Sequence, residues 1–179
     1  MNIMKKNKNH IIFAIVMAII VLVIGGLIYQ QEMIIRQGEI TIFETRPVDP
    51  RDLLRGEYVI LRYAIESDKK ILEAVDGLEE GTKVFIELEE NEQGIASVKE
   101  VFKEKPENIE GLFIIGEVDW RGVRFPDLEQ FYVPEGSGRA IERAGNDLHV
   151  EISLKDGKSR VVKLLDKSLE EIDPSDYIK

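Results

Sequence analysis

The sequence contains no cysteine and only two histidines in 179 residues. The absence of cysteine excludes disulfide bonds, thiolate metal ligands and cysteine nucleophiles, so the folded part must be stabilised by its core alone. His149 is the one histidine that lies beyond the N-terminal segment. It cannot build a clustered histidine zinc site by itself, and it leaves a Ser-His-Asp triad only one possible base. The sequence therefore predicts no cofactor, no metal site and no histidine-based hydrolase.

Acidic side chains are absent from the first 31 residues, whereas the rest of the chain is rich in them. All 34 acidic residues lie beyond Tyr29, together with 21 of the 24 lysines and arginines, so this part carries a formal charge of −13. Such a charge disfavours polyanions, namely nucleic acid and anionic lipid headgroups, as partners.

Residues Ile11 to Tyr29 form 19 consecutive positions without a charged side chain. As a helix this run is roughly 28 Å long, close to the thickness of the hydrocarbon core of a bilayer. Lys5, Lys6 and Lys8 precede it, and positive charge on this flank favours a cytoplasmic N-terminus. A cleaved signal peptide is the alternative, but its apolar segment is usually only about 7–15 residues long, and no small-x-small cleavage pattern follows here. The sequence predicts a single-pass anchor in the cell membrane, with the remainder outside the cytoplasm.

The chain is expected to divide into four parts. They are a cytoplasmic basic tail (1–10), a transmembrane anchor helix with a juxtamembrane extension (11–37), an extracytoplasmic β-rich domain (38–166) and an acidic C-terminal tail (167–179) that frays. The anchor helix is expected to end at Gly38, a favourable C-cap residue, and to lead directly into the first strand. So short a connection keeps the domain, and hence its partners, near the membrane surface.

Alternating hydrophobicity predicts about eight short strands and at most two short helices beyond the anchor. The strand segments are 39–45, 57–66, 82–89, 94–102, 112–118, 128–133, 147–155 and 158–165, and the helical segments are 67–77 and 139–144. Asp156-Gly157 joins the last two strands, as a type I′ hairpin turn requires. The fold class is mainly β (β-rich α+β), with an antiparallel barrel or sandwich.

The same alternation assigns side chains to the two strand faces. In 57–66 it places Arg62 and Glu66 opposite Tyr63, and in 147–154 it places His149 and Ser153 on the solvent face.

Carboxylates are too abundant to be diagnostic of catalysis. Glu117 with Asp119, or Glu135 with Glu142, could act as acid and base in glycoside hydrolysis, but solvated surface is the simpler interpretation. Gly136-Ser137-Gly138 lacks the Lys-Ser/Thr pair of a phosphate-binding loop, so its glycines are expected to form a tight turn. The sequence has no Asp-x-Asp-x-Asp-Gly run for calcium.

Two separated segments resemble a known family. Residues 56–63 read Gly-Glu-Tyr-Val-Ile-Leu-Arg-Tyr, which is similar to the signature of the GDYXXLXY family of bacterial membrane-anchored proteins, with Glu57 where the family has aspartate. The preceding segment 45–55 and the distant segment 130–142 fit the same family. The motif residues, structural or binding, are Gly56, Glu57, Tyr58, Leu61, Tyr63, Glu135, Gly136, Gly138 and Glu142.

The resemblance implies a single-pass bacterial membrane protein and carries over no catalytic residue. The residues themselves explain why the motif could be structural: Gly56 allows a sharp turn, and Tyr58 and Tyr63 lie on opposite strand faces. Glu57 could accept backbone donors of the preceding turn, or pair with an arginine there. A structural and a binding role both remain open.

The leading functional hypothesis is a non-enzymatic binding or assembly module for another membrane or envelope protein. Ala14, Ala18 and Gly25 share one helix face, so the anchor could also pair with another helix in a homo- or hetero-oligomer. The alternative is a carboxylate-based hydrolase acting on cell-envelope polymers, and a ligand-binding β-barrel comes third.

Overall fold

A long N-terminal helix leads directly into short antiparallel strands. The computed structural model describes residues 3–46, 58–107, 111–134, 137 and 148–177. Within these residues, the helices are α1 (Ile3–Gln37) and α2 (Lys69–Val75), with 3-10 turns at Ala64–Ser67, Pro126–Leu128 and Pro174–Tyr177. The strands are β1 (Glu39–Glu44), β2 (Tyr58–Ile60), β3 (Lys83–Glu90), β4 (Ala96–Phe102), β5 (Phe113–Asp119), β6 (Gly122–Arg124), β7 (Gln130–Tyr132), β8 (His149–Lys155), β9 (Lys158–Leu165) and β10 (Glu171–Ile172).

The strands form three antiparallel sheets in the described part of the chain. Their orders are β1-β8-β9-β10, β2-β7 and β4-β3-β5-β6. Single bridges join the two larger sheets on both sides, Ile42 to Ile95 and Ile114 to Gly157. The sheets curl into half-barrels, and the predicted β-rich fold with an N-terminal apolar helix and antiparallel sheets is confirmed.

The core lies between the curled sheets, and three aromatic side chains form its centre. Phe43, Tyr63 and Phe125 are buried, with edge-to-face ring centroids 5.6 to 6.3 Å apart. Aromatic pairs of this geometry contribute about 0.5–1.5 kcal/mol beyond the area they bury. The side chains come from β1, from the segment after β2 and from the segment after β6, so the trio ties distant parts of the chain together.

Most predicted strands are present, but the segment 57–66 is not one continuous strand. β2 ends at Ile60 because the chain crosses from β7 to β1: the Leu61 amide donates to the Glu129 carbonyl, and Tyr63 bridges to Thr45. It then turns into the 3-10 helix Ala64–Ser67, which directs Glu66 inward. The prediction that Glu66 lies on the outer face was therefore wrong.

Three further expectations differ from the structure. Ser153 is buried, not solvated, since the end of α1 covers it. The tail beyond Lys167 was expected to fray, whereas β10 within it pairs with Leu164 and Leu165 of β9. β6 is too short to show alternation and was missed. The expected helix at 139–144 lies outside the described residues.

The hairpin of β8 and β9 has the predicted turn. Asp156 and Gly157 have φ values of 53° and 79°, so both central residues are left-handed, as type I′ geometry requires. Gly157 also packs against Phe113 and Ile115 of β5, where a Cβ would have no room.

The end of α1 is fixed to the sheet by a close approach, which we call the junction: Ile34, Gly38 and Ser153. The Gly38 amide donates to the Ile34 carbonyl at 2.9 Å, and Ser153 Oγ donates to the same oxygen at 2.7 Å. Ile34 is buried, and beside it Lys155 Nζ donates to Gln37 Oε1 at 2.6 Å. The helix therefore does not end in a free linker but is seated on β8.

Gly38→Ala is expected to destabilise the domain by about 1–3 kcal/mol through overpacking. The added Cβ would lie 2.5 Å from the Ile34 carbonyl oxygen and 2.9 Å from that of Leu154, and backbone oxygens cannot move aside easily. Ser153→Ala removes one buried hydrogen bond and is expected to cost about 1 kcal/mol.

Thermal unfolding of the full chain in detergent measures both changes. Ser97→Ala is the matched control, because Ser97 Oγ donates to the Glu89 carbonyl at an exposed strand position. It is expected to stay within about 0.5 kcal/mol of wild type. Wild-type stability in both Gly38→Ala and Ser153→Ala would show that the junction does not contribute to the stability of the domain.

Candidate functional site around Glu66

The two motif segments meet in the β2–β7 ladder. Tyr58 pairs with Tyr132, Val59 with Phe131 and Ile60 with Gln130. Because the pairing is antiparallel, the start of β2 and the end of β7 lie at the same end of the ladder.

The described motif residues have structural positions. Leu61 is buried, and Tyr63 is 0 % exposed and donates its hydroxyl to the Leu128 carbonyl at 2.9 Å. Burial, and after it the charge of Glu66, raise the pKa of Tyr63 well above its ordinary value, so the hydroxyl stays a donor. Tyr58 begins β2. Gly56, Glu57, Glu135, Gly136, Gly138 and Glu142 lie outside the described residues.

Within the predicted tight turn at 136–138, Ser137 is described. It is buried, and its hydroxyl donates to the Pro134 carbonyl at 2.7 Å, while its amide donates to the same oxygen at 3.2 Å. These bonds are those of a turn and not of a phosphate-binding loop.

Glu66 is the most unusual ionisable group near the motif. It is only 7 % exposed, and its Oε1 has no hydrogen-bond partner among the described residues. Burying a carboxylate without a partner is costly, so such a group shifts its pKa and takes up a proton. Ser67 Oγ, next in the chain, is also buried without a described partner.

Burial raises the pKa of Glu66 to about 7, and the neighbouring charges act in opposite directions. Arg62 and Arg121, and a backbone hydrogen bond from Tyr63, lower it, whereas Glu129 raises it. Arg62 is itself paired with Glu129 at 2.9 Å, which weakens its effect on Glu66. The arrangement can hold or release one proton near neutral pH.

A second feature adjoins this carboxyl. Gly122, at the β5–β6 turn, packs against the Glu66 carbonyl, and the same turn exposes Trp120. Neither Glu66 nor Trp120 was singled out from the sequence. A signal for the position of Trp120 was available, since Asp119 and Gly122 stand at the first and last positions of a four-residue segment, as is typical of a β-turn.

Of the other candidates from the sequence, Glu117 and Asp119 have ordinary ion-pair partners, whereas His149 has none for its Nδ1 among the described residues. Glu117 pairs with Arg124 at 2.8 Å across the hairpin, and Asp119 pairs with Arg121 at 3.2 Å. His149 is half-buried beside Glu151 on β8, and its Nδ1 has no described partner. Over the residues the structure describes, no three His, Asp or Glu side chains are grouped as metal ligands.

Comparison with known proteins gave one match. A family model described as GDYXXLXY protein matches residues 20–164, the greater part of the chain. No curated protein and no solved structure matches the chain.

The raised pKa of Glu66 predicts the direction in which the stability of the folded chain changes with pH. The folded chain binds an extra proton between the ordinary carboxyl pKa of 4.5 and about 7, so this group's contribution to stability falls as the pH rises through that interval. Glu66→Gln should therefore gain stability relative to wild type from pH 5 to pH 8, by up to about 3 kcal/mol.

Urea unfolding of both proteins at a series of pH values measures this difference. Glu73→Gln, at an exposed position on α2, is the control and should follow the wild-type pH dependence. A constant difference between Glu66→Gln and wild type across the range would show that Glu66 does not titrate there.

Proposed function

The chain belongs to the GDYXXLXY family, and from that premise we propose that it is a membrane-anchored, extracytoplasmic module that assembles with another membrane or envelope protein without catalysing a reaction. The observation that carries this proposal is the continuity of an exposed apolar helix with a β domain to which its end is bonded.

The apolar helix supports the anchor. Within the described residues, His10–Gln37 is one helix long and apolar enough to cross a membrane, and none of its most apolar stretch is buried by the fold. Its large side chains are exposed on every face, for example Phe13, Val21, Leu22 and Ile28. Water would make that exposure unfavourable by about 25 cal/mol for each Å² of apolar surface, whereas lipid would not. The basic N-terminal flank supports a cytoplasmic N-terminus and a domain outside.

The junction supports a role in assembly. Since the Ser153 hydroxyl and the Gly38 amide both donate to the Ile34 carbonyl, the anchor and the domain act as one unit, and the domain keeps a fixed height and orientation above the bilayer. A binding protein that diffuses freely does not need a fixed height and orientation. A protein whose partner lies in the same membrane does. The small residues Ala14, Ala18 and Gly25 offer one face for a partner helix.

A second candidate is a carboxylate-based hydrolase acting on cell-envelope polymers. The observation in its favour is Glu66, whose pKa of about 7 suits a general acid. Against it, the nearby Glu129 carboxylate is bound by Arg62, and Glu66 is almost wholly covered. If the full chain cleaves such a polymer and Glu66→Gln abolishes the cleavage, the hydrolase proposal would replace the assembly proposal.

The anchor is tested by Ile20→Lys. A lysine near the helix centre costs insertion about 2.5–3.5 kcal/mol, so the membrane-bound fraction should fall strongly. Fractionation of cells followed by alkaline extraction measures that fraction, with Ile20→Leu as the control that should stay bound. Equal retention of Ile20→Lys and wild type would contradict the anchor.

The assembly is tested by crosslinking the intact chain in native membranes, followed by mass spectrometry. We expect one discrete crosslinked species that contains a second membrane or envelope protein. A homo-oligomer alone would leave the envelope partner unsupported. Recovery of monomer alone would contradict the proposal.

A further inference from the structure

The β5–β6 turn displays the single tryptophan of the chain to solvent. Trp120 is 78 % exposed, the highest exposure among the large hydrophobic side chains of the described residues. Leaving a tryptophan in water forgoes the favourable free energy of burying its large apolar surface. Exposed aromatic side chains held in place are typical of the residues that dominate the binding energy of protein interfaces.

The tryptophan is held in position by its neighbours in the turn. The Arg121 guanidinium carbon lies 4.8 Å from the centre of the Trp120 ring, a cation–π contact. Asp119 binds that guanidinium at 3.2 and 3.4 Å and accepts the Arg121 amide at 2.8 Å. These contacts restrict the conformations of the ring before a partner binds, which lowers the entropy lost on binding.

The base of the turn is fixed on the domain. Gly122 has a φ of 134°, and a Cβ there would lie 2.6 Å from the Glu66 carbonyl oxygen and 3.0 Å from Leu72 Cδ2. Leu72, on α2, is itself 43 % exposed. Leu72 thus lies beside the turn that carries Trp120 and Arg121, and we call these three residues the tip surface.

The tip surface lies away from the junction. Lys155 contacts Gln37 at the end of α1, and the adjoining Gly157 carbonyl accepts the Ile115 amide of β5 at 3.0 Å. From that contact β5 runs on to Asp119, so Trp120 lies about 15 Å further along the strand. The anchor end of the domain and the tip surface are therefore at opposite ends of β5.

Charge distinguishes the possible occupants. The part of the chain beyond Tyr29 has a formal charge of −13, and within the turn the charge of Arg121 is neutralised by Asp119. Two copies of the domain would repel each other, whereas a basic partner would be attracted. We propose that the tip surface docks a basic segment of a partner protein, which places apolar side chains on Trp120 and Leu72. This inference rests on the proposed assembly role and names its surface.

The test uses the full chain in phosphatidylcholine vesicles and, as probe, a short peptide of alternating lysine and leucine. Because Trp120 is the single tryptophan, its emission reports on the tip surface directly. We expect a saturable blue shift with this peptide and none with a matched peptide of glutamate and leucine. By anisotropy of the labelled peptide, Trp120→Ala should bind at least about tenfold more weakly.

Ile40→Ala is the matched control, since Ile40 is an exposed apolar residue of β1 at the junction end. It should bind the lysine peptide as wild type does. Equal binding by Trp120→Ala, equal binding of both peptides, or no binding by wild type would each overturn the inference.

Crosslinking in native membranes separates this inference from the proposed function. A heteromeric species that persists in Trp120→Ala would overturn the tip surface as the docking site and leave the assembly role intact. A species that is lost in Trp120→Ala but kept in Ile40→Ala supports both. If wild type forms no such species, both fail.

Discussion

One close approach determines how this protein is arranged: the Gly38 backbone, the Ile34 carbonyl and the Ser153 hydroxyl occupy the same small space at the end of α1. A glycine is needed there because any larger residue would press against two carbonyl oxygens. Since the contact is buried and bonded, the direction of the helix is fixed relative to β8. The proposed height of the domain above a membrane, and the position of the tip surface, both depend on it.

The family motif has a structural explanation for the residues that the structure describes. Tyr63 fills the core beside Phe43 and Phe125, and its hydroxyl donates to the Leu128 carbonyl, just before the second motif segment. Leu61 is also buried, and its amide donates to the carbonyl of Glu129, the residue that precedes that segment. The same packing buries Glu66, whose Oε1 has no hydrogen-bond partner among the described residues. This burial is unfavourable for a carboxylate.

The fold could be predicted further than the site. Alternation of apolar residues predicted β1, β3, β4, β5 and the β8–β9 hairpin, because each has one buried face, and a helix breaker at Gly38 predicted where α1 ends. The burial of Glu66 and Ser153 could not be predicted, because it depends on segments distant in sequence. Glu66 is buried because the segment after β2 changes its neighbours and turns, and Ser153 is buried because the end of α1 covers it. Trp120 does not belong to any periodic pattern of apolar residues, and its exposure follows only from its position in the turn.

The central claim is that α1 and the β domain form one rigid unit. Because the chain has no cysteine, spin labels can be placed at Gln31→Cys and Glu89→Cys without background, and pulsed electron paramagnetic resonance in neutral bilayers gives their distance distribution. A Gly-Ser linker inserted after Gln37 supplies the uncoupled reference. The account predicts one narrow distribution for the uninterrupted chain and a broad one for the linker variant. A broad distribution in the uninterrupted chain would contradict it.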